Sequence, residues 1–264
     1  MYKRLKNHLH FLYYQYLIRT NSLIKAQRKN PFSIPIIIIN FNQLYYLKQL
    51  IDFLLKRGFE NIVIIDNKST YPPLLEYYKE IKDQVHIEFM KENAGHMVFF
   101  ENKFLQKKYG KGYYVLTDAD IVPNENLPEN FMSIMINDLD RYFKRVTKVG
   151  FALRIDDLID NFPLKSKVIE WESRYWRNPI EKDKFLVGID TTFALYKPYY
   201  PSKFKNLEFK NGLRLSNMFT AKHGGWYKDI YNLTEEEKFY QQNASKSSSW
   251  NFNEEGEMFF KRYE

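Results

Sequence analysis

An Asp-Ala-Asp triplet at 118–120 carries the clearest chemical signal in the chain. Tyr113–Thr117 reads as a buried strand that runs straight into Asp118-Ala119-Asp120 and then Ile121-Val122-Pro123. Side chains alternate along a strand, so Asp118 and Asp120 leave it on one side and Ala119 on the other. Two carboxylates so close repel each other unless a cation lies beside them. A divalent ion with oxygen ligands answers that need, and Mg2+ or Mn2+ also takes phosphate oxygens of a substrate. The plainer reading is a capping turn into the next element. His223 is the next candidate, in Lys222-His223-Gly224-Gly225-Trp226, where two glycines let the backbone approach a ligand closely. Asp190 sits in the otherwise apolar run Leu186–Thr192, where a charge is costly unless it is used or paired.

Elements that would position these residues follow from the apolar pattern. Ile34–Ile39 is a nearly continuous β-branched run, as a buried parallel strand should be. Gln43–Arg57 has helical spacing and ends at Gly58; Asn61–Ile65 is a second strand, Pro72–Ile81 a helix with proline at its start, and Val85–Phe89 a third strand. His96–Tyr109 reads as one helix leading to the strand at Tyr113. Such a βαβαβαβ series implies a doubly wound, mostly parallel sheet with helices on both faces, and a ligand crevice beyond the strands' carboxyl ends. Polar residues gather at those ends: Asn40, Asp66, Lys91 to Asn93, Asp118 and Asp120. Further on, Phe131–Phe143 reads as a helix, Lys148–Leu153 as a strand, and Phe185–Tyr196 as one strand with Gly188 inside it. Residues 207–222 read as irregular strands or a hairpin around Asn211-Gly212; Thr234 to Glu237 caps a short helix, and 243–249 is a polar tail.

Composition narrows the class. The 264 residues are 44% hydrophobic and 27% charged, which makes a globular chain with a real core. No cysteine is present, so a disulfide framework, a thiolate zinc site and a cysteine nucleophile are excluded, and a reducing compartment fits. The net charge of +8 is misleading until it is located. Residues 1–30 contain Lys3, Arg4, Lys6, Arg19, Lys25, Arg28 and Lys29 and no acidic residue, so the remaining chain is nearly balanced. That distribution argues against nucleic acid as a partner of the folded body. In the basic segment Leu5, Leu9, Leu12 and Tyr16 recur at helical spacing, with Phe11, Tyr13, Leu17 and Ile18 widening the stripe. One reading is a helix lying on an anionic membrane surface; the other is a helix docked on its own domain or on a second subunit of a homodimer.

At Ile36–Asn40-Phe41-Asn42, Ile64-Ile65-Asp66-Asn67-Lys68-Ser69-Thr70, Asn93-Ala94-Gly95-His96 and Thr117-Asp118-Ala119-Asp120, the chain resembles glycosyltransferases of the GT-A fold, in particular family 2-like bacterial sugar transferases. The resemblance covers about residues 34–123. It implies a nucleotide-sugar donor, with UDP as the expected carrier and Mn2+ or Mg2+ as cofactor. Asn40 would lie beside the nucleoside, Asp66 would accept from the base with Asn67 as second contact, and Asn93 with Gly95 would bracket the donor. Asp118 would serve ribose and metal, Asp120 the metal, and His223 would be the third metal ligand. Lys91 or Arg214 would add a cation against the growing charge of the leaving group. Inverting transfer needs a carboxylate to deprotonate the acceptor hydroxyl; Asp190 is the first candidate, with Glu170 and Glu172 as fallback. Trp171, Tyr175 and Trp176 would form a sugar-stacking wall or simply pack a core.

The expected organisation is a basic helical segment over 1–30, a GT-A domain over 31–235 (a nucleotide-sugar half, 31–123, and an acceptor half, 124–235) and a helix and tail over 236–264. The expected acceptor is a glycan or lipid-linked sugar of a cell-surface polysaccharide, at the inner face of the cytoplasmic membrane. Two rivals remain: a nucleotidyltransferase acting on sugar phosphates, disfavoured because Asn40-Phe41-Asn42-Gln43 is neither glycine-rich nor basic, and a non-catalytic module recruited through the basic helix.

Overall fold

A computed structural model describes residues 2–189, 192–204, 209–243, 250–253 and 255–258. Two helices open the chain, α1 (Tyr2–Thr20) and α2 (Ser22–Lys29). The first half then runs β1 (Ile36–Asn40), α3 (Tyr45–Lys56), β2 (Ile62–Asp66), α4 (Pro72–Ile81), β3 (His86–Phe89), α5 (Val98–Glu101), α6 (Lys103–Tyr109) and β4 (Tyr114–Asp118). The second half adds β5 (Ile121–Pro123), α7 (Phe131–Arg141), β6 (Lys148–Leu153), α8 (Lys165–Ser173), β7 (Lys184–Gly188), β8 (Ala194–Tyr196), β9 (Asn211–His223) and α9 (Glu235–Asn243). All strands among the described residues belong to one sheet, ordered β3-β2-β1-β4-β8-β6-β9-β5, with β7 also on β9. The result is one mixed, doubly wound α/β sheet, as the apolar pattern implies.

Parallel pairing fills the first half. β1 lies between β2 and β4, with Ile36 opposite Ile62 and Val115. Every residue of β1 and β2 is buried, as both faces of a parallel sheet must be. Strand order moves outward from β1 to β3, then returns to the far side of β1 with β4. Right-handed crossovers therefore put α3 and α4 on one face and α5 with α6 on the other. Helix α3 buries Leu47, Leu50, Ile51 and Leu54 at i, i+3, i+4, i+7 spacing. It has no cap of its own. Instead Glu236 of α9 accepts from the backbone N–H groups of Leu44 and Tyr45 at 2.8 and 3.0–3.1 Å, an anion placed on a helix N-terminus from far along the chain.

Three expectations change in the structure. The helix expected over 96–109 is broken at Asn102, whose carboxamide oxygen accepts from the Phe104 and Leu105 N–H groups and so starts α6 afresh. The single strand expected over 185–196 is two strands in different places: β7 on β9, and β8 inserted antiparallel between β4 and β6. The irregular stretch expected over 207–222 contains one long strand, β9, which follows β6 from Gly212 to Leu215, loops out, and rejoins it at Thr220. The capping box at α9 is as expected, with Thr234 and Glu237 exchanging bonds at 2.8 and 3.2 Å. Part of the expected tail is also built into the domain: Asn251 and Phe252 are buried.

The N-terminal helices dock on the body. Tyr14, Leu17 and Ile24 are buried, and Gln27 bonds both backbone groups of Tyr113, at 2.8 and 3.0 Å, as a strand neighbour would. Gly112 makes room for this, since a Cβ there would stand 2.2 Å from Gln27 Oε1. Arg28 grips Asp140 with two bonds, at 2.7 and 3.1 Å, and Tyr14 donates to the same carboxylate.

Lys197, just after β8, is buried with its ammonium nitrogen donating to the Phe143 carbonyl at 2.6 Å. Burial lowers its pKa to about 7. Between that value and the ordinary lysine pKa of about 10.4, the unfolded chain binds a proton that the folded chain releases. Stability contributed by this site therefore rises with pH across that window and is lost as pH falls through 7. We expect Lys197→Met to raise the melting temperature by about 2–4 °C or more at pH 6 and to flatten its rise between pH 7 and 10, read by thermal scans over that range.

Candidate active site

The strand order reverses between β1 and β4, and crevices form at such switch points beyond the carboxyl ends of the strands. A cleft of about 570 Å³ opens there, lined by Phe41 after β1, Asn67 after β2, and Asp118 to Ile121 at the end of β4. That volume suits a small-molecule ligand.

Register brings the acidic triplet and His223 together. Ala119 donates to the Ile39 carbonyl at 3.1 Å, which extends the β1–β4 pairing to the triplet. β5 pairs antiparallel with the end of β9, Ile121 opposite His223, so His223 lies one step from Asp120. The next turn closes on Asp120: its carbonyl accepts from Gly224 N–H at 2.7 Å and its carboxylate from Gly225 N–H at 3.2 Å. A Cβ on Gly224 would stand 2.2 Å from the Tyr46 ring, so the first glycine serves close packing on α3. His223 Nδ1 stands 3.5 Å from Asp120 Oδ2 with no hydrogen bond between them, and its ring stacks on Trp226 at 4.8 Å.

The strand-end residues divide between scaffold and cleft. Asp66 is buried away from the cleft, its oxygens accepting from Ser69 N–H and the Tyr78 hydroxyl, both at 2.8 Å. Asn40 is likewise buried, donating to Tyr78 and to the Gln43 carbonyl. Both differ from the donor contacts that the resemblance implies. Their polar groups tie the β1 and β2 turns together, helped by Asn42, which accepts from Thr70 and Tyr71 N–H. Asn67 does line the cleft; its amide nitrogen donates to the Gly95 carbonyl at 3.0 Å, while Asn93 accepts from Gly95 N–H at 2.9 Å. Gly95 has φ +72°, a conformation that favours glycine. Lys91 is exposed and outside the cleft lining. Asp190 lies outside the described residues; Ile189 and Thr192 line the cleft.

Also in the cleft lining, Arg214 and Glu172 form a buried ion pair, with Arg214 also donating to the Gly188 carbonyl at 2.8 Å. Burial raises the Glu172 pKa, and Arg214 opposes that shift. Trp171 and Tyr175 line the cleft; Trp176 packs on Phe185 at 5.9 Å. Glu170 is exposed and lies outside the lining.

Two cleft residues carry no motif in the sequence. Lys228 is buried, donates to Asn251 Oδ1 at 2.8 Å, and has a pKa lowered by burial against the pull of Asp120 and Glu237. Asn251 comes from the stretch expected to be tail. The available signal was a lysine two residues after Trp226, close behind the His-Gly-Gly segment; nothing local marks Asn251.

Four of the eleven buried polar side-chain atoms without a hydrogen-bond partner, among the described residues, belong to this cleft: Asn67 Oδ1, His223 Nδ1, Trp226 Nε1 and Asn251 Nδ2. Such atoms are rare and costly, and a ligand's polar groups would satisfy them. Among the described residues no three carboxylates or histidines cluster tightly enough to enclose an ion. Asp120 Oδ2 and His223 Nδ1 offer one oxygen and one nitrogen donor, with Asp118 in the same cleft. That donor set fits a divalent ion completed by substrate phosphate oxygens and water.

No protein-family model matches the chain, and no curated protein matches it in sequence. Among solved structures it is similar to residues 1–349 of S. aureus TarS, at 14% identity and a TM-score of 0.43 over 80% of this chain and 68% of that one. It is also similar to the mannosyltransferase PcManGT of Pyrobaculum calidifontis, solved with GDP-Man and Mn2+, at 15% identity and a TM-score of 0.41 over 84% and 67%. A Bacillus anthracis protein provisionally assigned as a glucose-1-phosphate thymidylyltransferase matches at 10% identity and 0.39, over 69% and 87%. Likeness this loose leaves the reaction to the cleft's own residues.

Proposed function

We propose that the chain transfers a sugar from a nucleotide-sugar donor, with UDP the expected carrier, to a glycan or lipid-linked acceptor. One observation carries this reading: Asp118, Asp120 and the unpartnered His223 Nδ1 meet in a cleft at the switch point of the sheet. Asp120 and His223 would hold Mn2+ or Mg2+, with Asp118 beside them. When bound, the ion supplies electrostatic stabilisation of the charge that grows on the departing diphosphate. Lys228, a buried cation lining the same cleft near Asp120, adds a donor for that diphosphate from the chain itself. Asn67 Oδ1 is a free acceptor for a base N–H, which makes Asn67 the base contact in place of Asp66.

On the acceptor side a carboxylate must take the proton of the incoming hydroxyl. Asp190 keeps that assignment. Glu172 is the alternative inside the described cleft, where burial favours its proton-holding form and Arg214 favours its charge.

Calorimetric titration of UDP with and without Mn2+ tests the reading. Asp120→Asn and His223→Ala should each weaken Mn2+-dependent UDP binding about 100-fold or more, with melting temperature little changed. Unaltered Mn2+ dependence in both variants would overturn the metal assignment. Donor hydrolysis across a panel of nucleotide sugars identifies the carrier, whereas pyrophosphate-dependent nucleoside triphosphate formation would favour the nucleotidyltransferase reading.

Lys228→Met keeps the volume and removes a buried charge, so the fold should hold. UDP affinity should drop about 10- to 100-fold, the worth of a charge-assisted bond, with a much smaller effect on uridine, which lacks the diphosphate. Tyr78→Phe makes the contrast: it deprives Asp66 of a donor, should cost about 1–3 kcal/mol in chemical denaturation, and should leave UDP affinity unchanged.

A further inference from the structure

Helix α1 is apolar on two sides. Tyr14 and Leu17 pack into the domain, with Phe11, Tyr13 and Ile18 partly buried around them. Leu5, Leu9, Leu12 and Tyr16 stand 57, 55, 50 and 60% exposed. At about 100° per residue these four fall within an arc of about 60° on the opposite side, forming a continuous stripe. Scattered exposed leucines need no explanation, but a contiguous row does.

Charge decides what covers it. The same helical geometry puts Lys6 on one flank of the stripe and Arg19 on the other, and both are exposed. Lys25 and Lys29 of α2 are exposed as well. The body adds cations beside the helix: Lys144 lies 4.7 Å from the Phe11 ring centre and Lys203 5.0 Å from that of Tyr13. Asp140, the acidic side chain bonded to these helices, is already taken by Arg28 and Tyr14. A second copy of the chain would bring a face of the same sign, which seven cations and no anion in residues 1–30 oppose.

We propose that this face is a docking surface for an anionic lipid bilayer, independently of what the cleft does. The helix lies in the interfacial plane with Leu5, Leu9, Leu12 and Tyr16 at the acyl boundary, while Lys6, Arg19 and their neighbours reach the headgroups. No described helix is long and apolar enough to cross a membrane, so the attachment is peripheral.

The test is sedimentation of the full chain with phosphatidylcholine vesicles, with and without phosphatidylserine. Binding is expected to the anionic vesicles alone and to weaken as salt screens the cations. The double variant Leu9→Ser, Leu12→Ser should lose affinity about tenfold or more with its melting temperature unchanged, and Lys6→Glu with Arg19→Glu should lose a comparable factor. Absence of binding to anionic vesicles overturns the proposal, as does equal binding to neutral ones. A fall in melting temperature in the leucine variant would make the stripe part of the fold. A dimer in size-exclusion chromatography that the same variant dissociates would give the stripe to a second copy.

Discussion

Two backbone N–H groups of the Gly224–Gly225 turn close on Asp120, and with the β5–β9 pairing they fix the site end of the second half on the first. That closure holds the end of β9 against the end of β4, so the cleft's acidic residues, from the parallel half, and its histidine, from the long second-half strand, share one rigid frame. The frame tolerates little. A side chain on Gly224 would collide with Tyr46 of α3, and α3 is itself capped by Glu236 from α9. Strand, turn and both helices therefore position the same carboxylate.

The cleft is electrostatically divided. Its β4 side carries two carboxylates and an unpartnered imidazole nitrogen. Arg214, also in the lining, is already matched by Glu172. Lys228 lies close enough to Asp120 for that carboxylate to favour its charged form, yet buried deeply enough for solvent loss to oppose it. A diphosphate bound with a divalent cation, as proposed, would set its negative charge against Lys228 and its cation against the carboxylates.

Much of this was legible locally. The β-branched runs of β1 and β2, the proline start of α4, the capping box of α9 and the acidic triplet after β4 all depend on neighbours in sequence, and each stands where its residues imply. What escaped depends on partners far along the chain. Asp66 and Asn67 are adjacent and similarly polar, but Asp66 is held by the Ser69 N–H and by the Tyr78 hydroxyl further along the chain, while Asn67 lines the cleft. β8 enters the sheet between β4 and β6, which no periodicity can announce. The stripe on α1 reads in sequence as one broad apolar face; packing divides it into a docked side and an open one, because Tyr14 has Asp140 and Tyr113 to bond while Leu9 and Leu12 stay about half exposed.

That docking has a consequence in time. Tyr14 leaves the ribosome long before its partners: Tyr113 follows 99 residues later and Asp140 126 residues later. At synthesis rates of roughly 5–20 residues per second, this is a wait of about 5–25 s. Throughout it, both apolar sides of α1 and every cation of the segment are uncovered, since the surface that will take one side has yet to be made. The helix is synthesised before the surface it docks on, so the nascent helix meets its surroundings before it meets its own domain.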